Sequence, residues 1–318
     1  MCTGCANGCN INISVYKDRI YRYVPRRNES VNDTWMCDDG RLAYADVQAE
    51  ERIRKPRLRE GDLRPETSRG AAPTRSAAVE VPWDMALDAA ARLLRDVREQ
   101  SGEKALAAIA SAHPTNEDLF LFLKFAREVL GAERPGMVVP TWEPDGFLIQ
   151  KEKAANGTGA RTIGIGGAEE ARAVLERCER GEIQGLVVLG SDLLLAGSSE
   201  KVLAALSRVQ TVLCLATHES DLTRIARIVL PVQTFAEKDG TMTNIQGRVQ
   251  RIRPAIRPFD EALPEWEVIS QIASRMGRPY PYRSPAELLK ELASEIPAFG
   301  RVTPESVGTQ GVPLSRNK

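Results

Sequence analysis

Four cysteines within the first 41 residues constrain this chain more than any other feature. Cys2, Cys5 and Cys9 follow the spacing C-x2-C-x3-C, and Cys37 stands alone after 27 intervening residues. Three thiolates on one short loop can bind one side of an iron–sulfur cube, and a fourth from a distant point can close the opposite corner. Because four cysteine thiolates hold a [4Fe–4S] cluster, the sequence predicts such a cluster on these residues.

Zinc and disulfides are the alternatives for the same cysteines. Thiolates also bind zinc, but structural zinc ligands usually come as two close pairs. Here the grouping is three and one, and Cys37 has no neighbouring Cys or His. Disulfides need an oxidising compartment, and the N-terminus has neither the charged nor the apolar region of a secretory signal. The pattern favours iron–sulfur and leaves the other two open.

The residues between Cys9 and Cys37 predict a small β-hairpin. Ile11, Ile13 and Val15 alternate with polar residues, Lys17 and Asp18 make the turn, and residues 20–24 run back. Such a hairpin carries the chain away from the cluster and returns it. It also covers the cluster from water, which helps to set the reduction potential.

Bulk composition excludes several classes of partner. The 318 residues include 43 Lys+Arg and 43 Asp+Glu, so the net charge is zero and no field attracts nucleic acid or an anionic membrane. No apolar run approaches the roughly 18 residues of a transmembrane helix. We therefore expect a cytoplasmic protein without direct membrane insertion.

Beyond residue 83, apolar strands alternate with amphipathic helices, which indicates parallel strands joined by right-handed crossovers. Thr115–Asp118 has the form of a capping box and predicts a helix start. Residues 132–160 are predicted to be irregular, with weak helical character over 149–155. Cys178 and Cys214 lie in apolar surroundings and are expected to be structural.

The predicted fold class is α/β, with a small β-rich [4Fe–4S] head followed by two parallel-sheet α/β domains. The predicted boundaries are a cluster-binding head over 1–50, a linker over 51–82, an abbreviated α/β domain over 83–160, a second α/β domain over 161–280, and a C-terminal helix and tail over 281–318. The basic run Arg52–Arg59 is interpreted as a solvated or interface-forming connector, with phosphate binding as the alternative.

Two segments carry a resemblance to a known family. The first is VNDTWMCDDGR at residues 31–41, and the second is EKDGTMTNIQGRVQ at residues 237–250. With the cysteine spacing, they resemble the molybdopterin oxidoreductase superfamily. More closely, they resemble the G subunits of NADH-quinone oxidoreductase, complex I. In the second segment, Asn244 and Arg248 are expected to supply hydrogen bonds that hold a crossing loop.

The resemblance also implies that this chain lacks a pterin cofactor. In molybdenum and tungsten enzymes of the superfamily, a basic residue shortly after the last cluster cysteine commonly bridges cluster and pterin. Here those positions are Asp38, Asp39 and Gly40. Pterin-binding members also continue into a further β-barrel domain, which the roughly 40 residues after Gly277 cannot build. The resemblance therefore implies a [4Fe–4S] cofactor and no molybdopterin.

We therefore expect the chain to be an iron–sulfur electron-transfer and scaffold subunit of an NADH-linked oxidoreductase complex. That complex is expected to be complex I-like, or a related NAD-linked hydrogenase or dehydrogenase. The chain itself is expected to have no substrate-converting site. The alternatives are a catalytic Mo/W-pterin oxidoreductase and a structural subunit with a non-redox metal. The implied partners are flavin/NADH and ferredoxin-like iron–sulfur subunits, through which the chain is placed peripherally on the cytoplasmic side of the membrane. Because Met1 directly precedes the first ligand, we expect a partner or upstream chain to shield the cluster.

Five further features have a structural and a functional interpretation. His113 and His218 are interpreted as structural loop residues, with ligand or proton-carrier roles as the alternative. Asp145 is the one carboxylate of the irregular segment considered as a metal ligand. The glycines at 164–167 and the turn 190–192 are interpreted as tight turns, although glycines before a helix can also bind phosphate.

Overall fold

The computed structural model describes residues 1–63, 77–190 and 192–315. The predicted linker and the turn 190–192 lie partly outside these residues, at 64–76 and Ser191. The strands are β1 (Ile11–Tyr16), β2 (Arg19–Pro25), β3 (Arg57–Arg59), β4 (Ala78–Glu80), β5 (Leu106–Ser111), β6 (Gly136–Val138), β7 (Gly185–Leu189), β8 (Thr211–Ala216), β9 (Ile228–Pro231), β10 (Gly240–Thr243), β11 (Arg248–Ile252) and β12 (Val312–Pro313).

Eleven α-helices lie in the same part of the chain. They are α1 (Asp38–Leu42), α2 (Tyr44–Val47), α3 (Trp83–Ser101), α4 (Asn116–Glu128), α5 (Gly157–Ile163), α6 (Ala168–Glu179), α7 (Ser199–Leu206), α8 (Asp221–Ile225), α9 (Glu265–Arg275), α10 (Pro285–Glu295) and α11 (Pro304–Val307). Among these residues no helix is long and apolar enough to cross a membrane.

The largest sheet has seven strands in the order β4-β3-β9-β8-β7-β5-β6. The five strands from β9 to β6 are parallel, and β3 pairs antiparallel with both β4 and β9. The fold class is α/β, as predicted. Strands from both predicted α/β ranges lie side by side in this one sheet, so the boundary at 160/161 stays a prediction.

Helices cover the large sheet on both faces. Side chains along β7 alternate: Val187 and Leu189 pack into the core beneath α3, α4 and α9. Leu186 and Val188 pack into the core beneath α6 and α7. A strand that is apolar at every position is therefore buried on both faces, which explains the unbroken apolar run. Cys178 and Cys214 are fully buried in the second core, in agreement with their structural interpretation.

Local signals place most of these elements correctly. The hairpin β1–β2 turns at Lys17 and Asp18, both with positive φ, as a twisted two-residue turn requires. Thr115 caps α4 in a reciprocal capping box with Asp118. The predicted helical character over 149–155 is wrong, because the helix begins only at Gly157.

The C-terminal tail folds back onto its own chain. In the extended segment after α11, Val312 pairs with Val249 and makes β12 the third strand of the sheet β10-β11-β12. The carbonyl oxygens of Thr309 and Gln310 accept hydrogen bonds from Asn10 and Asn28 of the head. The tail therefore ties the head to β11.

Candidate iron–sulfur site

The four cysteines of the head line one cavity of about 210 Å³. Cys2, Cys5 and Cys9 are buried, and Cys37 is half-buried. The fold therefore brings together the residues that the sequence grouped as three and one. A cavity that holds a single water needs only roughly 10–15 Å³, so the thiols surround room for a group of several atoms.

The loop that carries the first three cysteines is closed by its own backbone. The Cys2 amide donates to the Cys9 carbonyl over 2.7 Å, and the Gly8 amide donates to the Cys5 carbonyl over 3.2 Å. Gly8 has a φ of +63°, and a Cβ there would lie 2.5 Å from the Met1 Cε. Glycine is therefore required where the loop turns beneath Met1.

Cys37 is brought to the same cavity by the start of α1. Its Sγ caps the helix by accepting a hydrogen bond from the Gly40 amide over 3.3 Å. A Cβ at Gly40 would lie 3.1 Å from the Cys2 Sγ and 3.3 Å from the Cys37 Sγ. The missing side chain at Gly40 thus lets the two sulfurs that come from opposite ends of the head share one wall of the cavity.

Burial governs the protonation of these thiols. It raises the pKa of Cys2 to about 12 and that of Cys9 to about 11, because the charged thiolate loses hydration. The Asn7 amide donates to the Cys9 Sγ over 3.1 Å and opposes the shift. Bound metal deprotonates a coordinating thiol outright, so these sites are suited to thiolate ligands when they hold a metal.

Amide side chains from the EKDGTMTNIQGRVQ segment hold the cysteine loop from behind. The Asn244 Nδ2 donates to the Asn7 carbonyl over 3.1 Å, and the Gln250 Nε2 donates to the Gly8 carbonyl over 2.9 Å. The Ala6 carbonyl accepts from the Ile245 amide over 2.8 Å. The prediction that Asn244 holds a crossing loop is confirmed, and that loop is the cysteine loop itself.

The same segment makes an ion pair buried beneath the head. Arg52 and Glu237 lie 2.8 Å apart with fully buried side chains. Arg52 also donates to the carbonyls of Val47 and Thr217, so it joins the head to the end of β8. Arg52 is therefore buried rather than solvated, which corrects that part of the interpretation for this residue, and the interface-forming alternative for the run Arg52–Arg59 stays a prediction. The partner of Arg52 lies 185 positions away, which no local pattern shows.

A second buried network lies next to it. The Lys238 Nζ contacts the carboxylates of Asp118 and Glu265, the former at 2.8 Å. Burial opposes the charge of Lys238, but the two carboxylates outweigh it and raise its pKa. Burial, and then the charge of Asp118, raise the pKa of Glu265 to about 7. Glu117 accepts from the backbone amide and hydroxyl of Thr241.

A wider cavity of about 420 Å³ adjoins the cysteine cavity, and Cys2 and Lys153 line both. His113 and His218 reach the wider cavity, as do Lys238 and Glu265. The ring nitrogens of His218 hydrogen-bond Thr217 Oγ1 and the Asp46 carbonyl, and burial lowers its pKa. The His113 Nε2 lies 3.7 Å from the Asp192 carboxylate. Neither histidine lines the smaller cavity that the four cysteines share.

The remaining candidates have structural partners. The Asp145 carboxylate accepts hydrogen bonds from the amides of Phe147, Leu148 and Ile149 within its own loop. Gly164 ends α5 in a left-handed conformation, and the Gly167 amide donates to Glu170 at the start of α6. These glycines are tight turns, as interpreted.

Sequence reasoning missed several residues of the site. Leu148, Ile149 and Lys153 line the cysteine cavity although they lie more than 100 positions away from it in the chain, and Asn7 is a hydrogen-bond donor to a sulfur. The position of Asn7 between Cys5 and Cys9 is a signal that could have found it. Nothing in the irregular segment marks the other three.

Two family models match the chain. The 4Fe-4S domain of NADH-ubiquinone oxidoreductase NDSU1/NuoG-like proteins matches residues 5–45. The molybdopterin oxidoreductase model matches residues 135–275. The first range contains Cys5, Cys9 and Cys37 and the hairpin between them, and Cys2 precedes it.

Several proteins are similar in sequence to part of this chain. A putative formate dehydrogenase of Staphylococcus haemolyticus is 34% identical over 42% of this chain and 14% of its own length. The NADPH-Fe(3+) oxidoreductase subunit alpha of Geobacter sulfurreducens is 29% identical over 41% of this chain and 15% of its own length. The F420-dependent formate dehydrogenase 2 subunit alpha of Methanococcus maripaludis is 37% identical over 29% of this chain and 14% of its own length. Each match thus spans only about a seventh of the relative.

A solved structure supports the fold over the whole chain. Acetylene hydratase from Pelobacter acetylenicus matches with a TM-score of 0.66, covering 99% of this chain and 74% of that one, at 11% identity. At this identity the likeness concerns the fold alone. The family matches thus identify a NuoG-like 4Fe-4S domain at residues 5–45 and a molybdopterin oxidoreductase domain at residues 135–275 of this chain.

Proposed function

We propose that this chain is an iron–sulfur electron-transfer and scaffold subunit of an NADH-linked oxidoreductase complex, with one [4Fe–4S] cluster bound by Cys2, Cys5, Cys9 and Cys37. The observation that carries the proposal is the single cavity that all four cysteines line. When bound, the cluster supplies a centre that accepts and releases one electron. The chain's own residues bind it, bury it and donate hydrogen bonds to its cysteine ligands.

The arrangement of the thiols supports a cluster over zinc. A tetrahedral zinc site needs its sulfurs about 2.3 Å from one ion. The cysteines instead surround an open volume, which suits a polynuclear group and makes a zinc-stapled structural subunit the weaker alternative.

The residues after Cys37 support electron transfer without a pterin. Asp38 and Asp39 are exposed acidic residues at the start of α1, where the superfamily's catalytic members place a basic bridging residue. The head's family model belongs to NADH-ubiquinone oxidoreductase, which favours NADH-linked partners such as flavin and ferredoxin-like subunits. In the same proposal, those partners hold the chain at the cytoplasmic side of the membrane.

The test is a potentiometric EPR titration of the anaerobically purified chain. We expect one reversible one-electron signal of a reduced [4Fe–4S] centre, which Cys37→Ala abolishes or converts to a different cluster signal. Cys178→Ala is the matched control, because Cys178 is an equally free cysteine buried in the α/β core, and it should leave the signal unchanged. A Cys37→Ala protein with the wild-type signal would contradict the assignment of Cys37 as a cluster ligand.

A catalytic Mo/W-pterin oxidoreductase is the second candidate. The observation in its favour is the cavity of about 420 Å³ beside Cys2, into which Lys153 and Lys238 project from the domain that the molybdopterin oxidoreductase model matches. Stoichiometric molybdenum or tungsten in the purified chain would favour this candidate over the first.

A further inference from the structure

A third cavity, of about 340 Å³, lies where the head meets the end of β11 and the C-terminal tail. Its walls come from the head, from residues 250–255 and from residues 308–309. None of the four cysteines lines it. The described residues that line it include no aspartate or glutamate, whereas three are arginines: Arg26, Arg251 and Arg253. The wall of this cavity therefore carries positive charge.

Two of these arginines have no acidic partner in the described part of the chain. The Arg251 guanidinium donates to both carboxylate oxygens of Asp239, over 2.7 and 3.0 Å, so its charge is neutralised. Arg26 and Arg253 make no ion pair with any described residue. A guanidinium has five N–H donors, and Arg26 uses one of them in a bond to the Thr309 carbonyl over 2.6 Å. Most donors of both side chains are thus available to a ligand.

The two unpaired charges also lie close enough to oppose each other. Burial, and then the charge of Arg253, lower the pKa of Arg26. Arg26 is half-buried, and salt screens partly buried charges less than exposed ones. A bound anion would relieve this repulsion. An arginine guanidinium forms charge-assisted and often bidentate hydrogen bonds with phosphate or carboxylate oxygens, so the cavity is suited to an anion of that kind.

A buried acceptor at the same cavity indicates what else the ligand carries. Gln250 lines the cavity and is 2% exposed. Its Nε2 donates to the Gly8 carbonyl and to the Asn10 Oδ1, over 2.9 and 2.7 Å, and these two acceptors fix which amide atom is the oxygen. The Gln250 Oε1 accepts no hydrogen bond from any described residue. Unsatisfied buried side-chain atoms are uncommon in native proteins, so a ligand with an O–H or N–H donor would complete the site.

A phosphate group combines negative charge with such a donor. A phosphate ester has its second pKa at about 6, so near that pH much of it carries a P–O–H as well as negative charge. An ionised carboxylate only accepts hydrogen bonds, and sulfate holds no proton at the same pH. Small-molecule sites begin at about 300 Å³, so this cavity of about 340 Å³ leaves room for a small organic group beside the phosphate.

We propose that this cavity binds a small phosphate-bearing molecule, with Arg26 and Arg253 donating to the phosphoryl oxygens and the Gln250 Oε1 accepting from the P–O–H. The ligand is free phosphate or the phosphate ester of a small alcohol, since both present the same group. Binding joins the head to the segment after β11, because Arg26 belongs to the head and Arg253 follows β11. The inference goes beyond the proposed function, because it requires neither a cluster nor electron transfer.

The test is isothermal titration calorimetry of the anaerobically purified chain at about pH 6 and at constant ionic strength. Inorganic phosphate and glycerol phosphate are the two probes, and sulfate is the comparison anion. Sulfate carries more negative charge than either probe at this pH but no proton, so a site that recognises charge alone would bind it at least as tightly. We expect the better probe to bind at least about tenfold more tightly than sulfate.

The variant that tests the site is Arg253→Gln, which should weaken binding of the better probe at least about tenfold. The Arg253 side chain is exposed and makes no hydrogen bond or ion pair with any described residue, so the fold should be kept. Arg301→Gln is the matched control, because Arg301 is likewise exposed, makes no ion pair with a described residue and lies outside the cavity wall. Its affinity should stay within about twofold of wild type.

Three results would overturn the proposal: no binding of either probe at millimolar concentration, sulfate bound as tightly as the better probe, or an Arg253→Gln affinity equal to that of wild type. Tighter binding of glycerol phosphate would identify a phosphate ester as the ligand, and equal or tighter binding of inorganic phosphate would identify free phosphate. The calorimetry does not use the cluster signal, so the phosphate site and the electron-transfer role are tested independently.

Discussion

Replacing Asn244 with alanine should loosen the cysteine loop and release the cluster faster. The buried Asn244 side chain donates to the Asn7 carbonyl and accepts from the amides of Gln246 and Arg248, over 2.9–3.1 Å. Each such bond contributes about 1 kcal/mol, and partners left unsatisfied in a buried site add to the loss. We therefore expect Asn244→Ala to lower the free energy of unfolding by about 2–4 kcal/mol.

The assay is urea unfolding of the anaerobic protein, followed in parallel by circular dichroism and by the visible iron–sulfur absorbance. Ile245→Ala is the matched control, because Ile245 is 43% exposed and its contact with the loop is through its backbone amide. The control should change stability by less than about 0.5 kcal/mol. If Asn244→Ala unfolds like the control and keeps its cluster as long, the hydrogen bonds of Asn244 do not stabilise the cysteine loop.

Three further predictions concern buried groups. Arg52→Ala should lower the free energy of unfolding by about 3–5 kcal/mol because it leaves Glu237 buried and unpaired, and a loss below about 1 kcal/mol in the same urea assay would refute this. Tyr23→Phe should raise stability by about 1 kcal/mol, since the buried Tyr23 hydroxyl has no hydrogen-bond partner among the residues that the structure describes; a loss would mean that the hydroxyl has one. Burial raises the pKa of Glu117 to about 7 from 4.5, so the folded state binds the proton more tightly than the unfolded state between those values. The contribution of Glu117 to stability should therefore fall by up to about 3 kcal/mol as pH rises from 4.5 to 7 and then level off, and Glu117→Gln should remove that contribution from the slope in unfolding measured at several pH values.

Residues with local signals could be placed from the sequence. The alternation of Ile11, Ile13 and Val15 gave the hairpin, and the box at Thr115 gave the start of α4. The grouping of the cysteines gave the set that lines one cavity. In each case the pattern and the contact that enforces it lie within a few residues, or the residue type itself is diagnostic.

Residues whose partners are distant in the chain could not be placed from the sequence. Arg52 is charged, lies in a basic run and is nevertheless fully buried, because Glu237 neutralises it from the far side of the chain. Lys153 and Ile149 belong to an irregular segment, and only the tertiary fold places them at the cysteine cavity. The tail at 312–313 forms a strand because β11 offers it a free edge, which no pattern in the tail records.

The account's central claim is a [4Fe–4S] cluster on this chain, and elemental analysis tests it most directly. Iron, acid-labile sulfide, zinc, molybdenum and tungsten should be measured together in the anaerobically purified chain and expressed per copy. The account predicts about four iron and about four sulfide per chain, with zinc, molybdenum and tungsten far below one. Zinc without iron would contradict the redox role, and molybdenum or tungsten near one per chain would contradict electron transfer without a pterin.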